Sequence, residues 1–125
     1  MLMLPPVVRV FVALDAVDMR KSFDGLAAAV QSRMNLDPLS GHLYVFLNHR
    51  RNLMKMLFFD RTGYCILYKR LERGTFQLPQ VVPGAARIEV ESAELAMILE
   101  GIDLESAKRR MRYRRPAAPT VESGI

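Results

Sequence analysis

Asp15, Asp18 and Asp24 are the first residues whose type and spacing suggest chemistry, because they cluster between an apolar strand-like run and a helical pattern. Carboxylates placed on a strand end and a helix can converge on two divalent ions about 4 Å apart, as metal-dependent nucleases require. Each also has a structural reading. Asp18 suits a helix N-cap, Asp24 lies one helical turn from Arg20 and can pair with it, and Asp15 belongs to a turn.

The other reactive side chains offer less. His42 and His49 stand at opposite ends of one strand-like run, which at about 3.3 Å per residue keeps them from sharing an ion. Cys65 is the single cysteine, so an intramolecular disulfide and a thiolate cluster are both excluded, and its apolar surroundings describe an inert thiol. No Ser-His-Asp set, phosphate-binding glycine loop or zinc spacing occurs. Catalysis by this chain alone is not expected, and neither a cofactor nor a metal is.

Charge is more informative. The net charge is +5, and it is unevenly spread: residues 41–77 hold seven basic and two acidic side chains, 78–105 hold one basic and six acidic, and 106–115 hold six basic. A basic sheet region and tail are the footprint of a nucleic-acid partner. Arg50, Arg51, Lys55, Arg61, Lys69, Arg70 and Arg73 come from neighbouring runs and loops, with Tyr44, Tyr64 and Tyr68 interleaved, and the tail adds Lys108, Arg109 and Arg110. Such cations contact phosphates readily, while the tyrosines either stack on bases or fill a half-buried core. Arg20 and Lys21 join the candidates from the exposed face of the first helix. The acidic segment Glu89 to Glu105 either neutralises a basic surface or faces a protein.

These residues need elements to hold them. His42 to Pro79 contains three apolar β-rich runs, Leu43–Leu47, Leu53–Phe59 and Tyr64–Leu71, joined by a basic loop and by Asp60-Arg-Thr-Gly63, which predicts an antiparallel meander with Gly63 at a positive φ. Alternation in Tyr64, Ile66 and Tyr68 places part of one face in solvent. Before it, Val7 to Leu14 predicts a strand that can pair with either edge of the meander. A helix follows, with Asp18 as its cap and its first turn at Met19; Met19, Phe23, Leu26, Ala27, Val30 and Met34 form its apolar face. Gly25 within that helix costs about 1 kcal/mol against alanine, which suggests close approach to a neighbouring backbone.

After the meander, Ile88-Glu-Val90 predicts a short edge strand. Ser92 predicts the cap of a helix over Ala93–Glu100, closed by Gly101. The expected class is α+β: a small antiparallel sheet, made of a three-stranded meander plus an N-terminal strand, packed with two helices and followed by a basic C-terminal tail. Residues 1–104 make one domain of that kind, and 105–125 make a basic, flexible tail. MLMLPPVVRV lacks the pattern of a signal peptide and no stretch matches a membrane span, so a cytoplasmic location without membrane contact is expected.

Four ordered motifs, DMRKSFDGL (Asp18–Leu26), SGHLYVF (Ser40–Phe46), YKRLERGTFQLP (Tyr68–Pro79) and LAMILEGID (Leu95–Asp103), resemble the TnpB (Orf2-like) accessory proteins of the insertion sequence 66 family of bacterial mobile elements. The resemblance runs from about Pro5 to Asp103 and leaves the tail outside it. That family commonly has glycine where this chain has Ser22, often has tryptophan at Phe58 or Phe59, and has a Gly- or Asp-containing turn at Arg61. The resemblance implies a non-catalytic accessory role in DNA transposition beside a separate transposase, and it assigns no catalytic residue. DNA at the element ends and the transposase are the partners expected. Within that role Arg20, Lys21, Lys69, Arg70 and Arg73 are the leading contact residues. A pure protein adaptor that contacts the transposase through the acidic segment Glu89 to Glu105 and an exposed sheet edge, and a metal-dependent nuclease using Asp15, Asp18 and Asp24, are the alternatives.

Overall fold

A computed structural model describes residues 8–101, so the readings of the first seven residues and of the tail, including Lys108, Arg109 and Arg110, lie outside the described residues. The three runs of the central stretch form the meander: β2 (Leu43–Leu47), β3 (Leu53–Asp60) and β4 (Gly63–Arg70) pair antiparallel in sequence. A two-residue connection closes the second hairpin, with Asp60 opposite Gly63. The positive φ expected at Gly63 falls instead on Arg61, at 50°. Gly63 already belongs to the ladder, so the residue outside it takes the left-handed turn. Arg61→Gly removes the Cβ penalty of that conformation at the cost of some unfolded-chain entropy, for an expected net gain of roughly 0.5–1 kcal/mol. Thermal unfolding should rise by roughly 2–6 °C; an equal or lower midpoint would refute that account.

The first strand, β1 (Val10–Ala13), pairs parallel with β2, and β5 (Arg87–Val90) pairs antiparallel on its other side, giving the sheet order β4-β3-β2-β1-β5. A parallel pair needs a long crossover, and residues 14–42 supply it with the helix α1 (Phe23–Ser32). Every residue of β1 and β2 is buried, because the sheet is covered on both faces. Phe11, Ala13, Tyr44, Phe46 and Leu57 meet Leu26, Ala29 and Val30 of α1 on one side. Val10, Val12, Val45, Met54 and Met56 meet α2 (Ser92–Glu100) through Leu95 and Ile98 on the other. Phe76, from the extended segment after β4, is fully buried on that second side. Solvent reaches the sheet chiefly at β4, whose Leu67 and Tyr68 are exposed.

Both helices begin differently from expectation. Asp18 does not cap α1, which starts only at Phe23 with Ser22 as N-cap. Instead the Lys21 amide donates to the Asp18 carbonyl at 3.0 Å, closing a separate turn before the helix. Ser22 makes no side-chain capping bond, so the position asks nothing of its hydroxyl. Phe23, expected in the apolar face, is 46% exposed at the first turn. A Cβ on Gly25 would stand 3.2 Å from Cβ of Lys21 rather than against a neighbouring backbone, so the glycine makes room for a side chain one turn back. In α2 the cap is Glu91, not Ser92: its carboxylate accepts from the backbone of the third helical residue while Glu94 accepts from the Glu91 amide at 2.9 Å. Gly101 ends α2 at φ 74°, the left-handed conformation expected of it.

Candidate nucleic-acid interface

Strand directions decide which basic residues meet. The registers bring the C-terminal ends of β1, β2 and β4 and the start of β3 to one end of the sheet. The β2–β3 loop with His49, Arg50 and Arg51, the end of β4 with Arg70, the following turn with Arg73, and the turn before α1 with Arg20 and Lys21 all lie at that end. Arg61 lies at the opposite one, in the β3–β4 turn.

The basic loop is firmly built. The Asn48 side-chain oxygen accepts from the amides of Asn52 at 3.0 Å and Leu53 at 2.9 Å, and its amide group donates to Asn52 Oδ1 at 2.8 Å. Arg51 takes φ 58° to close the loop, and its carbonyl accepts from the Phe76 amide at 2.7 Å. The Leu71 amide donates to the Asn52 carbonyl at 2.9 Å, so the segment carrying Arg73 is docked onto the loop carrying Arg50 and Arg51. Asn48 was not singled out in the sequence; an asparagine at the exit of a strand is the one signal that marks it. Among the described residues, Arg50, Arg51 and Arg73 form no ion pair.

Other cations serve the fold. Lys55, expected at the surface, is 8% exposed and donates from Nζ to the carbonyls of Met19 and Lys21, both at 2.7 Å. Its charge therefore lies inside, fastening the turn before α1 to β3. Lys69 points to the opposite face of the sheet, where Nζ donates to the Leu99 carbonyl at 2.6 Å near the end of α2. Cations suit that end of a helix, where carbonyls lack intrahelical partners. The five leading candidates thus do not share one face: Arg20, Lys21 and Arg70 lie on the α1 side, Lys69 faces α2, and Arg73 follows β4.

Arg20 and Arg70 carry exposed partners. Arg20 binds Asp18 at 2.7 Å with its own side chain 91% exposed, and Arg70 binds Glu72 at 2.9 Å. The Arg20 guanidinium holds the Asp18 carboxyl at a pKa of about 2, below its ordinary 3.8, and Asp18 raises that of Arg20 in return. Arg20 therefore pairs with Asp18 and not with Asp24. Solvent-exposed pairs of this kind contribute little, because water screens them, so both guanidinium groups stay open to exchange with a phosphate.

The tyrosines divide. Tyr44 is fully buried, accepting from Ser40 Oγ at 2.7 Å and donating to the Asp37 carbonyl at 2.8 Å, and burial pushes its hydroxyl pKa up. Tyr64 packs edge-on against Phe59. Tyr68 alone of the three is largely exposed, at 54%. His42 accepts from the Arg9 amide at Nδ1, 3.0 Å away, so the motif SGHLYVF builds the fold.

A shallow cleft of about 250 Å³ opens beyond β1 and β2, and Asp15, His49 and Arg51 are among the residues that line it. Among the described residues, no three of His, Cys, Asp and Glu come together as a metal would need, and Asp18 is already held by Arg20. Among the same residues no helix is long and apolar enough to cross a membrane.

A family model described as IS66 Orf2 like protein matches residues 8–109. Uncharacterized protein y4hO of Sinorhizobium fredii is 42% identical over 96 residues, covering 77% of this chain and 82% of that protein. Uncharacterized protein y4jC of the same organism is 33% identical over 102 residues, covering 82% and 86%. No solved structure matches the chain.

Proposed function

The chain belongs to the IS66 Orf2-like family, which implies an accessory role in transposition, and from that premise we propose that it contacts DNA of the element through the cationic end of its sheet, beside the transposase. The observation that carries this reading is the loop built on Asn48. Arg50, Arg51 and Arg73 stand on backbone fixed by cross-loop hydrogen bonds, without carboxylate partners among the described residues. With the backbone beneath them already ordered, the loop itself loses little freedom when these guanidinium groups meet a phosphate, and such contacts act without regard to base sequence. Arg20 and Arg70 add to the same end once phosphate displaces Asp18 and Glu72.

The adaptor alternative has less support, because several acidic groups in its segment are engaged within the fold. Glu89 binds the Arg9 guanidinium through both oxygens, at 2.7 and 2.8 Å, and Glu91 and Glu94 close the cap of α2. Gel-shift titration of the full chain with terminal-repeat duplex tests the DNA reading. Binding at 50 mM salt that falls by about 10³-fold by 200 mM is the outcome expected of six or so phosphate contacts. Absence of any shift at 50 mM, with and without transposase, would end it.

A further inference from the structure

Tyr68 is set apart from the other sheet tyrosines in a way that indicates a more specific ligand than a phosphate chain. Its ring stands on the α1 side of the edge strand β4, 54% exposed. The Lys55 ammonium lies over the ring, 4.7 Å from the centroid. That ammonium is held by the carbonyls of Met19 and Lys21, so one side of the ring rests on a fixed internal cation. Tyr68 also lines a cleft of about 300 Å³, together with Leu53, Arg70 and Glu72. This is at the lower end of small-ligand sites, and a single base with its sugar is of that scale.

Charge around the ring suits a nucleotide. Arg70 lies two residues along the same face of β4, and Arg20 and Lys21 belong to the turn whose carbonyls hold Lys55. Arg20 pairs with Asp18 and Arg70 with Glu72, both in exposed pairs that a phosphate can replace. A flat ring backed by a rigid strand also loses little entropy when a base stacks on it.

We propose that Tyr68 is a stacking platform for an unpaired base of single-stranded DNA, with Arg70, Arg20 and Lys21 taking the flanking phosphates. The inference rests on the reading that this chain contacts DNA, and adds the strand state. Bases within a duplex are already stacked on both sides and cannot lie on the ring, whereas a single strand offers its π-faces freely.

The chain has no tryptophan, so Tyr68→Trp creates a sole indole reporter at the platform. Its fluorescence should be quenched by a short oligothymidylate and unchanged by a blunt duplex of equal length. Tyr68→Ala should lower single-strand affinity by about tenfold and leave duplex affinity within twofold, while Tyr68→Phe retains both. An unquenched indole in saturating single-stranded DNA overturns the platform while leaving duplex binding, and the reading above, intact. So does quenching by the transposase and not by DNA, which would make Tyr68 a protein anchor. If neither form of DNA binds at low salt, the reading and the platform fall together.

Discussion

Lys55→Met is expected to lower the stability of the domain by about 3 kcal/mol, and its thermal midpoint by roughly 12–20 °C. Methionine fills nearly the same volume, so the loss is not one of packing. The ammonium is 8% exposed and donates at 2.7 Å to two carbonyls, Met19 and Lys21. Hydrogen bonds to a charged group contribute about 1.5–3 kcal/mol each, and a buried acceptor left alone costs about 1–3. The lower part of those ranges applies, because Met19 and Lys21 are only half-buried and water can reach their carbonyls after the change. Urea and thermal unfolding followed by circular dichroism measure it. A midpoint within 3 °C of wild type would show that water replaces the ammonium and that Lys55 does not fasten the turn.

The combined variant Arg50→Gln, Arg51→Gln and Arg73→Gln should lose about 10²-fold in affinity for duplex DNA near 0.1 M salt. Each phosphate contact releases about 0.9 of a counterion, so removing three should lower the slope of log affinity against log salt by about 2.7. Glutamine keeps most of each aliphatic stem, and the loop's hydrogen bonds involve Asn48 and backbone groups rather than these guanidinium groups. Folding should therefore be unaffected. An unchanged slope would place the contacts elsewhere, and an unchanged affinity would remove this end of the sheet from the interface.

Much of the framework was legible because it is local. The meander follows from runs of β-forming residues at hairpin distances, and Gly101 from the need for left-handed backbone after a helix. Starts of elements were less legible. Asp18 and Ser92 are both good caps by type, yet Asp18 is occupied by Arg20, and α2 closes its cap with Glu91 and Glu94. Local propensity could not show that a lysine on β3 would hold the turn before α1 open as a separate unit.

The candidate interface divides along the same line. The sequence by itself determined that the central region is basic, that its cations sit at strand ends and loops, and, through DMRKSFDGL and its companion motifs, the family. Only the tertiary structure decided which cations face outward. Lys55, Lys69 and Arg50 are alike in sequence as basic residues of one region. Yet Lys55 is satisfied by carbonyls 34 and 36 positions away and Lys69 by one 30 away, whereas Arg50 meets none of these. A buried charge is tolerable only where acceptors converge on it. That convergence is set by the parallel β1–β2 pairing and the two covering helices, which no local pattern specifies.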